Sequence, residues 1–160
     1  MGDSGRIMTI SITEDDLTGP GITALLQAHL EHCRGASPPE STHALDYAAL
    51  REPGVTVWSA RDDTAVLGCG ALKHLDDRHG EIKSMHTAAA HRGKGVAARL
   101  LEHIIAVAQE RAYQRLSLET GTMAEFASAR ALYARYGFTV CEPFADYRED
   151  PNSRFMTRVL

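Results

Sequence analysis

The hydrophobic pattern of the chain changes abruptly at Gly95. Between Val55 and Thr87, apolar and polar residues form short runs separated by acidic turns, as in β-strands. After Gly95, apolar residues recur at helical spacing along one stripe, with charged residues opposite. The stripe consists of Val96, Ala97, Leu100, Leu101, Ile104, Ile105 and Ala108. A strongly amphipathic helix that directly follows several strands must cover a sheet with its apolar side, which indicates a layered α/β fold.

The strand and helix signals along the rest of the chain describe one mixed layer. The predicted strands are Ile7–Thr13, Val55–Arg61, Thr64–Lys73, Glu81–Thr87, Arg115–Glu119, Phe138–Cys141 and Arg154–Leu160. Besides the helix after Gly95, helices are predicted from Pro20 to a stop at Gly35, over Thr42–Leu50 and over Glu125–Tyr136. The fold class is therefore α/β of the α+β type, with helices on a mixed, largely antiparallel sheet. We expect residues 1–160 to form a single domain, of which residues 1–6 can be a disordered extension.

Composition and charge exclude several functional classes. The formal net charge is −4, whereas a duplex-binding module usually has a basic excess, so no nucleic acid is expected as a partner. The apolar runs fall far short of the roughly 20 residues of a membrane span, and no apolar leader is present, so no membrane is expected either. The widely spaced Cys33, Cys69 and Cys141 fit a cytoplasmic protein with reduced thiols. Eight histidines occur without the spacing of a zinc site, so we expect no metal.

A short turn of small residues connects the strand that ends at Thr87 to the amphipathic helix. It contains Gly93 and Gly95, with Arg92 and Lys94 beside them. The first turn of a helix carries unpaired N–H groups and the positive end of the helix dipole, so it attracts anions. Glycines let a phosphate approach those amides, and the basic side chains add donors. The turn lacks the spacing of a P-loop or a Rossmann loop. It is therefore either a phosphate-binding turn or a simple turn with solvated basic residues.

Two short motifs mark the start of the amphipathic helix and the last predicted helix. The first is R-x-x-G-x-A, formed by Arg92, Gly95 and Ala97. The second is A-x-x-L-Y-x-x-x-G-F, formed by Ala129, Leu132, Tyr133, Gly137 and Phe138. Together they resemble the two landmarks of the GNAT superfamily of N-acetyltransferases, and the resemblance covers most of the chain. It implies a GNAT-like sheet with a splayed central strand pair, helices on both faces, and acetyl-CoA as the cosubstrate.

The resemblance also implies which residues bind acetyl-CoA. In the family, the strand before the pyrophosphate loop splays from its neighbour, and the pantetheine arm pairs with the strand backbone. The matching backbone here belongs to Met85, His86 and Thr87. The pyrophosphate would be held by Arg92 and by the amides of Gly93, Lys94, Gly95, Val96 and Ala97. A backbone N–H near Met85 would polarise the thioester carbonyl.

The catalytic roles follow from the same resemblance. Tyr133 matches the tyrosine that protonates the departing CoA thiolate, although packing on an apolar helix face also explains an aromatic residue there. Glu81 matches the position of a glutamate that acts as general base in several relatives, and Glu119 and His86 are the competing candidates. Phe126 stands where many relatives have an asparagine that contacts the cofactor. That contact is therefore absent or replaced, by Thr120, Thr122 or backbone.

The acceptor side is less constrained by the sequence. In this fold, acceptor specificity resides in the connector between the first two helices, here Ser37–His43, and in the late hairpin, here Phe144–Phe155. We expect direct transfer to a small primary amine in a ternary complex, because no Cys/His pair indicates an acetyl-cysteine intermediate. Acetylation of proteins or peptides and a non-catalytic acyl-CoA-binding module are the alternatives. The sequence is compatible with a homodimer as well as with a monomer.

Overall fold

A computed structural model describes residues 9–36, 47–63 and 65–160. The strands are β1 (Ser11–Glu14), β2 (Val55–Arg61), β3 (Val66–Asp76), β4 (His79–Thr87), β5 (Arg115–Gly121), β6 (Thr139–Cys141) and β7 (Ser153–Val159). The helices are α1 (Pro20–Ala36), α2 (Tyr47–Leu50), α3 (Val96–Glu110) and α4 (Ala127–Arg135), and short 3-10 turns lie at Ala89–His91 and Ala124–Phe126. Across these described ranges, no helix combines the length and the apolar character needed to traverse a bilayer.

The predicted elements differ from the observed ones mainly at their ends. β4 begins at His79, before the predicted start at Glu81, because a tight turn separates it from β3. The last helix begins later than predicted, since Glu125 and Phe126 belong to the 3-10 turn. Several predictions lie outside the described residues: residues 1–8, the connector Ser37–His43, the first part of the second helix and Thr64.

The described strands form one sheet that is antiparallel except at a single strand pair. The order is β1-β2-β3-β4-β5-β7-β6, and only β4 and β5 are parallel to each other. That pair is joined only from His79 to Ile82, opposite Arg115–Leu118. Both strands continue beyond this point without pairing to each other. The expected mixed sheet with a splayed central strand pair is therefore confirmed.

A bulge in β4 accompanies the divergence. Cys69 pairs with His86 and Ala71 pairs with Lys83, so two residues of β4 lie opposite the single Gly70 of β3. Ser84, inside this bulge, has a φ of 55°, a left-handed conformation that is costly for a residue with a side chain. A bulge bends its strand and increases the local twist. It thus turns the end of β4 away from β5 while β4 stays paired with β3.

Helices cover both faces of the sheet, as expected. The larger core lies under α3, whose buried residues pack against Leu72 and Ile82 of the sheet. The smaller core lies on the other face, where α1 and α2 cover Val57, Cys69 and Ala71. A Cβ at Gly68 would lie 2.8 Å from Cγ1 of Val96 and 2.9 Å from the His86 carbonyl oxygen. The missing side chain therefore lets the first turn of α3 approach the sheet next to the divergence of β4.

Candidate active site

A cleft of about 480 Å³ opens where β4 leaves β5. Its wall combines residues of α1, the end of β4, the turn before α3, and α4. From the predicted cofactor set it includes Met85, His86, Thr87, Arg92, Gly93, Gly95, Val96 and Ala97. Tyr133, the predicted acid, lies in the same wall, together with His29, His32 and Phe126. The structure therefore brings most of the predicted site residues together around one cavity.

The turn before α3 has the geometry of an anion site. Gly93 and Gly95 have φ values of 78° and 80°, which are left-handed conformations that favour glycine. A Cβ at either position would have no neighbour within 4 Å, so it would project into open space. Gly95 caps α3 without a side-chain hydrogen bond to the first-turn amides. These amides thus face the cleft with the positive end of the helix dipole behind them. Lys94, outside the wall, has its Nζ 3.4 Å from Nδ1 of His91.

Tyr133 presents a neutral phenol to the cleft. It lies on α4, is buried, and packs edge-on against Phe138 with ring centroids 5.9 Å apart. Burial, and secondarily the carboxylate of Glu119, raise the pKa of Tyr133 above its usual value of 10. The phenol therefore keeps its proton at every working pH, so its hydroxyl is available as a hydrogen-bond donor.

The two candidate carboxylates occupy different environments. Glu81 is buried outside the cleft wall, and its Oε2 accepts hydrogen bonds from Lys83 Nζ at 3.0 Å and Tyr147 Oη at 2.6 Å. Glu119 is also outside the cleft wall, but it is half-buried and directly follows the last residue of β5 that pairs with β4. Burial raises the pKa of Tyr133, with the Glu119 charge as the second cause, whereas burial and then Glu81 raise the pKa of Tyr147 ahead of Glu119. By its place in the chain, Glu119 lies at the start of the gap between the two strands.

A histidine pair at the cleft was missed by the sequence reasoning, which considered α1 histidines only as metal ligands. Nδ1 of His29 lies 3.2 Å from Nδ1 of His86. Burial is the first cause that lowers the pKa of His29 to about 3 and that of His86 to about 4, so both rings are neutral. One ring must donate its Nδ1 proton to the other, which gives the two histidines opposite tautomers. Among the described residues, no cluster of side chains suits a metal ion.

Phe126, which stands where the resemblance implied an asparagine, lies in the wall of the cleft. A Cβ on Gly121 would lie only 2.2 Å from Cδ2 of Phe126, so the ring occupies a notch that requires a glycine. The ring also packs edge-on against His32, with centroids 5.3 Å apart. Thr122, considered as a replacement, instead donates from Oγ1 to the Pro151 carbonyl at 3.0 Å. At Phe126 itself the wall is therefore aromatic, with Glu125 and Ser128 beside it.

The split sheet, the open glycine turn before α3 and the neutral phenol suit the class of acyltransferases that use a phosphate-bearing carrier. Residues 22–138 match the model of the Acetyltransferase (GNAT) family, and the chain belongs to that family.

Known proteins similar to this chain agree with that family. It is 58% identical to the uncharacterized N-acetyltransferase YsnE of Bacillus subtilis over 146 residues, which is 91% of this chain and 97% of the relative. It is 53% identical to the uncharacterized N-acetyltransferase YedL of Escherichia coli over 150 residues, 94% of each chain. A GNAT family acetyltransferase from Elizabethkingia anophelis, solved with acetyl-CoA bound, shares the fold with a TM-score of 0.69 at 20% identity. That match covers 94% of this chain and 98% of the other.

Proposed function

We propose that this enzyme transfers the acetyl group of acetyl-CoA to a primary amine of a small molecule by direct attack in a ternary complex. The observation that carries the proposal is the divergence of β4 from β5 after Ile82, which opens a cleft onto the glycine turn before α3. An unpaired strand edge offers backbone hydrogen-bonding groups to an extended ligand. A helix N-terminus at the end of the same cleft suits the ligand's diphosphate.

We assign the cofactor-binding residues on the basis of the resemblance, and the geometry of the cleft supports the assignment. The backbone of Met85, His86 and Thr87 would pair with pantetheine, and the amides of residues 93–97 with Arg92 would hold the pyrophosphate. The open space beside Gly93 and Gly95 fits this assignment, because a Cβ at either would occupy it. The family of the chain and the acetyl-CoA in the Elizabethkingia relative support this choice of cosubstrate.

Tyr133 is the proposed acid and Glu119 the proposed base. An alkylammonium acceptor first loses one proton, which we assign to the Glu119 carboxylate at the strand gap. The free amine attacks the thioester carbon, and a backbone N–H near Met85 stabilises the oxyanion. When the C–S bond breaks, Tyr133 gives its proton to the thiolate, and the second amine proton restores the phenol. Glu81 is the less suitable base because it is buried with two donors on one oxygen. His86, in the cleft wall, remains the third candidate.

Two observations support a small acceptor in the cytoplasm. The IAA acetyltransferase of Azospirillum brasilense is 38% identical over 124 residues, 77% of this chain and 80% of the relative, and its name gives IAA, not a protein, as the acceptor. The thiols of Cys69 and Cys141 are free, which suits a reducing compartment.

Release of CoA thiol tests the proposal. Wild-type enzyme with acetyl-CoA is screened against amino acids, polyamines, aminoglycosides and peptides, and we expect turnover with a small amine. Gly95→Glu places a like charge in the anion site and should weaken acetyl-CoA binding at least about tenfold more than Gly95→Gln, which has the same size and backbone strain. Acetyl-CoA binding without thiol release from any amine would indicate a non-catalytic module. Turnover with peptides and with no small amine would show that the acceptor is a protein or peptide.

A further inference from the structure

Three side chains form a closed polar triangle on the face of the sheet covered by α1. Tyr147 Oη donates to Glu81 Oε2 at 2.6 Å and accepts from Lys83 Nζ at 2.7 Å. Lys83 Nζ also donates to Glu81 Oε2 at 3.0 Å. Glu81 and Lys83 are two apart on β4, so they lie on one face of the strand. Tyr147 comes from residues 142–152, the connection between β6 and β7.

Both charges of the triangle are enclosed. The side chains of Glu81 and Lys83 are 3% and 9% exposed. Buried charges are stable only where they are paired and hydrogen-bonded. Here Glu81 and Lys83 pair with each other, and the Tyr147 hydroxyl forms a hydrogen bond with each of them. The Glu81 carboxylate is therefore committed to two donors. A general base instead needs to reach the proton that it removes.

Tyr147 also holds residues 142–152 against the sheet. Its ring packs against Phe144 and Phe155 with centroids 5.1 Å and 5.4 Å away, and Lys83 Nζ lies 5.3 Å from its centroid. At the end of the segment, the backbone N–H of Thr122 donates to the Asn152 carbonyl at 3.1 Å. The segment is thus attached to β4 at its middle and to the residue just after β5 at its end. It crosses the sheet beside the last residue pairs before the two strands diverge.

We propose that Glu81, Lys83 and Tyr147 are an anchor that fixes residues 142–152 over the acceptor side of the strand gap, so that Glu81 positions the acceptor site and is not the base. This inference rests on the proposed acetyltransferase function. The segment carries the polar side chains of Asp146, Arg148 and Glu149, which are exposed and available to an acceptor. Release of the anchor would loosen the acceptor site and leave the acetyl-CoA cleft unchanged.

The kinetic test compares phenol removal at two tyrosines. Tyr147→Phe should raise the KM of the amine found in the thiol-release screen about five- to tenfold, with kcat within about threefold and the KM of acetyl-CoA unchanged. Tyr136→Phe is the matched control, because its hydroxyl donates to Glu102 on the outer surface. It should behave as wild type. An unchanged acceptor KM in Tyr147→Phe would overturn the anchor.

A pH profile separates positioning from base catalysis. The double variant Glu81→Gln/Lys83→Met removes both buried charges together, so neither is left unpaired. It should retain the acidic limb of the kcat/KM profile for the acceptor, whereas Glu119→Gln should lose it. The assignment would be overturned if the double variant lost that limb and more than about a hundredfold in kcat while Glu119→Gln kept both. Glu81 would then be the base.

Limited proteolysis tests the anchor independently of the transferase activity. Arg148 is exposed within the segment, and trypsin cleaves after it only when the backbone can unfold locally. Cleavage after Arg148 should be about tenfold faster in Tyr147→Phe than in wild type and in Tyr136→Phe. Equal cleavage would overturn the anchor even in an active enzyme. Faster cleavage in a protein without activity would support it while the proposed function fails.

Discussion

At the scale of single residues, the proposed chemistry depends most on the protonation of Tyr133. Burial, and secondarily the Glu119 charge, raise its pKa and keep the phenol protonated, which the proposed role as an acid requires. We predict that Tyr133→Phe lowers kcat about a hundredfold, because general acid catalysis contributes about 10²–10⁴-fold. The dissociation constant of acetyl-CoA, measured by calorimetry, should change less than about threefold. Equal turnover in variant and wild type would leave Tyr133 with a packing role only.

The neutral histidines predict a pH dependence of stability. In the folded protein the pKa of His29 is about 3, well below the ordinary value of 6.5, so the unfolded chain binds more protons below pH 6.5. Its contribution to the free energy of unfolding is complete above pH 6.5 and is lost as the pH falls toward 3. The slope from this residue is at most about 1.4 kcal/mol per pH unit.

Urea denaturation between pH 7 and 4.5 measures this slope. His29→Gln keeps a hydrogen-bonding side chain that does not titrate, and it should reduce the pH dependence. An equal slope in wild type and in His29→Gln would contradict the account of the buried pair.

Residues in local motifs could be predicted from the sequence, whereas long-range partners could not. Arg92, Gly95 and Tyr133 belong to short patterns, and all line the cleft. The contact of His29 with His86 joins α1 to β4 and depends on how the helix crosses the sheet. Likewise, Glu81 matched a family position, but its partner Tyr147 lies in an irregular segment that no periodicity describes.

At the scale of elements, the close approach of α3 to β3 fixes the glycine turn beside the cleft. A side chain at Gly68 would meet Val96 and the His86 carbonyl. We predict that Gly68→Ala lowers the free energy of unfolding by about 2 kcal/mol, as overpacking of a core usually costs 1–3 kcal/mol. Thermal denaturation should show a fall in Tm of about 5 °C.

The control for this substitution is Gly19→Ala. Its Cβ would have no neighbour within 4 Å, so it should cost less than about 1 kcal/mol. Equal losses in both variants would mean that the packing of α3 on the sheet does not depend on the missing side chain.

The elements themselves were predicted more accurately than their irregularities. The alternation of β2–β4 and the apolar stripe of α3 are strong periodic signals. The bulge at Ser84 is not periodic, and Ser84 is an ordinary residue in an unusual conformation. Its position is set by the pairing register with β3, which the sequence of β4 alone does not specify.

At the scale of the whole molecule, the order of elements and the two motifs gave the mixed sheet and its splayed strands. The reason is that these motifs stand at the ends of the elements that frame the cleft. The acceptor side does not follow in the same way. It depends on how residues 142–152 fold back over β4, and this is decided by the triangle of Glu81, Lys83 and Tyr147.

The central claim is that main-chain amides before and at the start of α3 hold the diphosphate of acetyl-CoA in the cleft. The direct test is a titration followed by the backbone amide signals in nitrogen–proton NMR spectra. We predict saturable shifts for residues 93–97 and for Met85–Thr87 with acetyl-CoA. With acetyl-pantetheine, which lacks the diphosphate, only the β4 signals should move. Unmoved signals of residues 93–97 at saturating acetyl-CoA, with shifts elsewhere, would contradict the account.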